Sequence, residues 1–232
     1  MQRLLVHIAL LLFPLLLFSQ GDSLFFSDAI KIKYKTYKAQ SERAFRNGDI
    51  EKGKLLFDSL VSHRLKGTTF DDFTFKKAGG AKLELSSIHK PIVLVTFASW
   101  CVPATGEIPA LNRLAQKYRK DVQFVVLFWD RKHNMKKIAH KFNHSIIVCY
   151  AHESYKNDAP VVAAVKHTLG FPTAFYLDEN RKVIDIKRCG LNQVFKKTQY
   201  QKAYALNYNA YLTNMAPLVM NMELKKEVLA VK

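Results

Sequence analysis

The segment from Pro91 to Pro109 constrains this chain most, because it runs from a strand through a cysteine into a helix. Pro91-Ile92-Val93-Leu94-Val95-Thr96-Phe97-Ala98-Ser99 is rich in β-branched and aromatic residues and too apolar to alternate. That pattern predicts a central strand buried on both faces. Trp100-Cys101-Val102-Pro103-Ala104 follows, and Ile108, Leu111, Ala115 and Tyr118 then recur at helical spacing, so a helix is predicted to begin close to the cysteine. At a helix N-terminus, unpaired amides and the positive end of the dipole would stabilise a thiolate at Cys101. Such placement lowers a thiol pKa from about 8.5 into a range of roughly 3.5–7.5. A buried, inert cysteine is the alternative.

The flanking segments repeat the alternation of strand and helix. Asp72 to Phe75, Ala81 to Leu85, Val122 to Trp129, Ser145 to Tyr150 and Val183 to Gly190 read as strands. Met135 to Phe142 and Pro160 to Leu169 read as helices, and Pro109 is expected to kink the helix that follows Cys101. Together they predict an α/β fold with a central sheet flanked by helices. Ahead of it, Phe26, Ile30, Tyr34, Tyr37, Ser41 and Phe45 form one stripe, Asn47-Gly48-Asp49 breaks it, and Leu55, Leu56, Leu60 and Val61 form a second, giving an N-terminal helical hairpin. Behind it, Tyr200, Tyr204, Tyr208 and Tyr211 mark a C-terminal helical extension whose tyrosine face covers a core, with fraying expected from Met222 onward.

Met1 to Gly21 opens with Arg3, continues through an apolar run broken by Pro14, and turns small and polar at Ser19-Gln20-Gly21. This is the layout of a secretory signal peptide, so export to a periplasm or cell envelope is expected, with membrane association if the segment is not cleaved. The predicted divisions are therefore 1–21, 22–64, 65–193 and 194–232. The net charge of +17 is spread along the chain and forms no basic block, which argues for solvated faces and against a nucleic-acid partner. Three cysteines are an odd number and are too far apart for a zinc site, so at least one thiol is expected to stay unpaired. Cys149, inside an apolar strand, reads as core, and no metal or cofactor is expected.

Trp100-Cys101-Val102-Pro103-Ala104 with Glu107-Ile108-Pro109 resembles the active-site segment of thioredoxin-fold proteins, in particular the envelope branch typified by TlpA and ResA. Lys66-Gly67, Phe70 to Phe75 and Leu83 to Ser86 resemble that family's opening strand and hairpin, and Gly170-Phe171-Pro172-Thr173 resembles its cis-proline segment. The likeness spans roughly residues 66 to 193. It implies that Cys101 is the nucleophile, that Glu107 lies beneath its sulfur, and that Trp100, Pro103, Phe171, Pro172 and Thr173 contact the substrate. The pattern is broken at Ala104, where the family carries its second, resolving cysteine. The resemblance also places Gly190 on the surface shared by the nucleophile and the cis proline, which makes Cys189 a possible resolving thiol.

The expected function is thiol-disulfide exchange by an exported protein through one nucleophilic cysteine, with protein thiols or disulfides of the envelope as substrates and a separate reducing partner. A noncatalytic binding module that has lost dithiol turnover is the alternative. Thiol peroxidase activity ranks lower still, because Leu94 and Ala98 stand where the resembling peroxiredoxins carry proline and threonine.

Overall fold

The computed structural model describes residues 24–101, 103–189 and 199–230. The expected signal segment, Met1 to Gly21, and Gly190 lie outside the described residues. Seven strands form one mixed sheet: β1 (Thr74–Lys77), β2 (Lys82–Glu84), β3 (Ile92–Phe97), β4 (Gln123–Phe128), β5 (Ile146–Tyr150), β6 (Thr173–Leu177) and β7 (Val183–Arg188). Their order is β2-β1-β5-β4-β3-β6-β7. Strands β3, β4 and β5 run parallel, and β6, β7 and the β1–β2 hairpin pair antiparallel at the flanks. This is a thioredoxin-like α/β fold: the alternating elements predict the α/β class, and the resemblance implies its thioredoxin-like form.

All six residues of β3 are buried, and they divide by parity. Ile92 and Leu94 join one core with Val125 and Leu127 of β4, whereas Val93, Val95 and Phe97 join a second core with Phe124, Val126 and Phe128. Helices cover both faces, so a period of two in the backbone appears in the sequence as continuous apolarity.

The first core is closed by α1 (Phe26–Arg46), by α2 (Ile50–Leu60) and by α5, which comprises Ala159–Val161, the π-helical turn Val162–Lys166, and His167–Leu169. Phe26 is fully buried, with its ring centroid 5.1 Å from Phe70 and 5.9 Å from Phe175. Asp71 caps α1 from across the chain, accepting from the Ser27 amide at 2.9 Å and the Ser27 hydroxyl at 2.6 Å. The Asn47-Gly48-Asp49 break works as predicted. Gly48 takes a φ of +71°, and the Asp49 side chain accepts from the Lys52 amide at 3.0 Å to start α2. The buried face of α2 holds Gly53, Phe57 and Leu60, and Leu55 points outward, 69% exposed.

The second core is closed by α3 (Glu107–Lys117), α4 (Lys132–Ala139) and α6 (Tyr200–Ala230). Helix α6 buries Ala203, Tyr211, Met215 and Leu218, and continues past Met222, where fraying was expected, to Ala230. Tyr211 of the tyrosine stripe is buried, and Tyr204 stacks on Tyr208 with centroids 6.0 Å apart. No described helix is long and apolar enough to cross a membrane.

Because Phe26 ties α1 into the sheet core, Phe26→Ala is expected to lower unfolding free energy by about 3–5 kcal/mol, measured by denaturant titration. A loss below about 1 kcal/mol would show that α1 is only loosely attached.

Candidate active site

Strand β3 ends at Phe97, and the next residues are fastened to the end of β4. The Trp129 amide donates to the Phe97 carbonyl at 2.8 Å, and Asp130 accepts from both the amide and the hydroxyl of Ser99 at 2.6 Å. Cys101 then closes a tight turn, its amide donating to the Ala98 carbonyl at 2.9 Å. The cysteine is half-buried, and Trp100 beside it is 72% exposed.

The helix does not start at Cys101. Helix α3 begins at Glu107, preceded by Gly106 in the left-handed region at φ +78°. A right-handed helix cannot pass through that conformation, so Gly106 sets the boundary. Glycine is required there for a second reason: a Cβ at Gly106 would lie 2.7 Å from the Tyr204 Cα of α6. Pro109 consequently falls in the first turn of α3, where its missing N–H deprives the helix of nothing, and the predicted mid-helix kink is replaced by a helix start.

The expected lowering of the Cys101 pKa is corrected with it. Burial raises this thiol above its ordinary 9.0, a hydrogen bond from the Ala98 backbone to the sulfur offsets part of that, and the Asp130 carboxylate adds to the rise. Asp130, a residue the resemblance did not indicate, is the carboxylate whose charge adds to that rise. Its signal in the sequence was its position just after an apolar strand, which is weak without the pairing of β3 and β4.

Glu107 is fully buried. Its Oε2 accepts from the Ala104 amide at 3.0 Å, its own amide donates to the Ala104 carbonyl at 3.0 Å, and its Oε1 accepts from the Tyr211 hydroxyl at 2.9 Å. Asn207 of α6 adds a bond from its side-chain amide to the Thr105 carbonyl at 3.0 Å. Burial raises the Glu107 pKa, with the bonds from Tyr211 and Ala104 opposing it. Tyr211 was legible only as one member of an apolar stripe.

Cys189 lies just past β7, its amide donating to the Pro172 carbonyl at 3.0 Å. Cys189 is half-buried, and burial of its sulfur pushes the thiol pKa far up, with the Glu107 carboxylate adding to the rise and Tyr211 opposing it. Cys149 is buried in β5 and its thiol is pushed up to about 12 by burial, as fits a core position. All three cysteines are free thiols.

The Phe171-Pro172 peptide is cis, as the resemblance implies. The rings of Trp100 and Phe171 meet edge to face at 5.3 Å, so the cysteine loop touches the cis-proline turn. Thr173 is buried and its amide donates to the Thr96 hydroxyl at 3.1 Å, which fixes the turn to β3. Among the described residues, the N–H and C=O of Phe171 have no hydrogen-bond partner. Pro103 is half-buried in the loop between Cys101 and α3. Among the described residues, no group of three or more His, Cys, Asp or Glu side chains is placed to hold a metal ion.

A cysteine loop at the end of a central parallel strand, set against a cis-proline turn, defines a thioredoxin-like protein. The profile of the Redoxin family matches residues 65–203, and the chain belongs to that family. It is similar to the thioredoxin-like protein YneN of Bacillus subtilis, with 25% identity over 138 residues, 59% of this chain and 78% of YneN. Among solved structures it is similar to a secreted Mycobacterium tuberculosis disulfide oxidoreductase homologous to E. coli DsbE, at 17% identity and a TM-score of 0.42, covering 58% of this chain and 96% of that one. A thiol:disulfide interchange protein from Bacteroides sp. matches at 17% identity and a TM-score of 0.46, over 64% of this chain and 88% of its own.

The buried Glu107 makes stability depend on pH with a definite sign. Its folded-state pKa is raised above 4.5, so the folded protein holds the proton more tightly, and stability falls as pH rises from 4.5 through the folded value. The stability of Glu107→Gln relative to wild type is therefore expected to increase across that window in unfolding titrations. A difference that stays constant with pH would show that Glu107 titrates like a solvated carboxylate.

Proposed function

We propose that the chain catalyses thiol-disulfide exchange through Cys101 alone, taking protein disulfides as substrates and passing through a mixed disulfide. The observation that carries this reading is the contact between Trp100 and Phe171. It joins the cysteine loop to a cis-proline turn whose Phe171 backbone groups are unpaired among the described residues, as a surface for an extended substrate strand requires. Trp100, Pro103, Phe171, Pro172 and Thr173 are the substrate-contacting residues in this reading.

The chemistry follows from the raised thiol pKa. Deprotonated Cys101 attacks one sulfur of the substrate disulfide; the S–S bond breaks, one substrate thiolate leaves, and Cys101 is held in a mixed disulfide. A second thiol then attacks, the mixed disulfide is exchanged, and Cys101 recovers its thiol, so electrons balance without an outside oxidant. Each unit by which the pKa lies above ambient pH costs tenfold in thiolate and returns only roughly threefold in intrinsic nucleophilicity, with a Brønsted slope of about 0.4–0.5. Reaction at neutral pH is accordingly slow. A high-pKa sulfur also leaves poorly, which favours a persistent mixed disulfide over rapid turnover.

Ala104 supplies no resolving thiol, so release depends on a second thiol of the substrate, on a small thiol, or on Cys189. The Cys189 sulfur, enclosed with Tyr211 and Glu107, is poorly disposed to ionise, which favours an external thiol from the reducing partner. In this reading residues 65–193 form the catalytic domain of the TlpA and ResA branch, with 22–64 and 194–232 as additions. The Met1 to Gly21 segment sends it to the periplasm or cell envelope.

The test is exchange with a fluorogenic peptide disulfide. Wild type is expected to react about tenfold faster for each unit by which pH rises, up to the thiol pKa, because only the thiolate attacks. Cys101→Ser is expected to abolish both the reaction and the mixed disulfide isolated by acid quenching. Equal rates for wild type and Cys101→Ser would remove the redox reading and leave a noncatalytic binding module.

A further inference from the structure

On the N-terminal side, the cis-proline turn borders a cavity of about 280 Å³ that the thiol chemistry does not use. Helix α1 presents Tyr34, Tyr37 and Ser41 to it, at spacings of three and four; Phe171 and Pro172 also line it, as does Arg188 at the end of β7. Phe171 is common to both places, since it lines this cavity and meets Trp100 in the site. The space is smaller than the roughly 300–1,000 Å³ of small-molecule sites, and suits a side chain better than a cofactor.

Arg188 is held in place before any ligand arrives. Its guanidinium lies 4.8 Å from the centroid of Phe57, and its Nη2 donates to the Tyr37 hydroxyl at 3.0 Å. Tyr34 in turn donates to the His167 carbonyl, which ties α1 to the end of α5 beside the turn. The other charges around the cavity are matched: Lys38 lies 3.9 Å from Glu42, and Lys166 lies 2.6 Å from Glu153. Among the described residues no carboxylate lies within 4 Å of Arg188. A guanidinium has five donors in a planar fork that fits a carboxylate, and a pinned one loses little freedom on binding.

We propose that this cavity is a subsite for a side-chain carboxylate of an extended polypeptide bound along the cis-proline turn, with Arg188 as its ligand and Tyr37 as the residue that positions Arg188. The substrate class is thereby narrowed to protein segments with Asp or Glu near the reacting cysteine, and α1 becomes part of substrate recognition. Calling the segment a substrate rests on the thiol-exchange reading, whereas the subsite itself does not.

The test uses the full chain and two labelled, amidated peptides with serine in place of cysteine. One carries glutamates on both sides of the serine, and the other carries glutamines. Fluorescence anisotropy is expected to show the glutamate peptide binding about tenfold more tightly, in line with a charge-assisted, bidentate contact. The ratio is expected to fall to about one in Arg188→Gln, to recover in part in Arg188→Lys, and to survive in Lys120→Gln, a substitution on the surface beyond α3. Equal binding of the two peptides by wild type overturns the proposal and needs no variant to fold. An undiminished ratio in Arg188→Gln, or an equal loss in Lys120→Gln, overturns it too, the latter by showing attraction to the basic surface at large. Because these peptides contain no sulfur, absence of exchange by Cys101 would sink the redox reading and leave this ratio intact.

Discussion

The arrangement around Cys101 depends on one buried carboxylate. Glu107 accepts hydrogen bonds on both oxygens, from Ala104 at 3.0 Å and from Tyr211 at 2.9 Å, and so joins the loop after the cysteine to the C-terminal helix. A carboxylate without those partners in that place would cost several kcal/mol. With them, it closes the turn Ala104 to Glu107 and starts α3 at its first opportunity, after Gly106. The nearness of Tyr204 to Gly106 and of Asn207 to Thr105 continues the same contact, so α6 holds the segment at three points along one face.

Shifting the helix start away from the cysteine changes the chemistry available at the sulfur. Unpaired amides at a helix end would stabilise a thiolate, but here the first turn of α3 lies beyond a left-handed glycine and a loop. Cys101 instead answers to burial and to Asp130, whose carboxylate is fixed by two bonds to Ser99. Both favour the proton. In the proposed mechanism a thiol of that kind attacks slowly and leaves slowly, which is consistent with release by an external thiol.

Much of the fold was legible in the sequence because its strands announce themselves. The runs around Leu94, Val125 and Val148 are β-branched or aromatic and too short for helices, and Asn47-Gly48-Asp49 carries a helix stop, a left-handed glycine and a cap within three residues. The site was less legible, for two physical reasons. Apolar spacing at Ile108, Leu111 and Ala115 fixes the face of a helix but not its first residue; the local markers that do so are Gly106 before Glu107 and Pro109 two residues on. The second reason is distance along the chain: Asp130 reaches Ser99 only because β4 lies beside β3, and Tyr211 reaches Glu107 only because α6 folds back across α3. Periodicity shows neither pairing. Arg188 was one charge among many until Phe57 and Tyr37 were seen to hold it.

The account turns on whether the sulfur of Cys101 keeps its proton at neutral pH. Ultraviolet thiolate absorbance, recorded against pH for wild type and for Cys101→Ser, isolates this one group by difference. The predicted midpoint lies above the ordinary 9.0 and moves down in Asp130→Asn. A midpoint near neutrality or below, unaffected by Asp130, would contradict the assignment of Asp130 and burial as the forces that set this thiol.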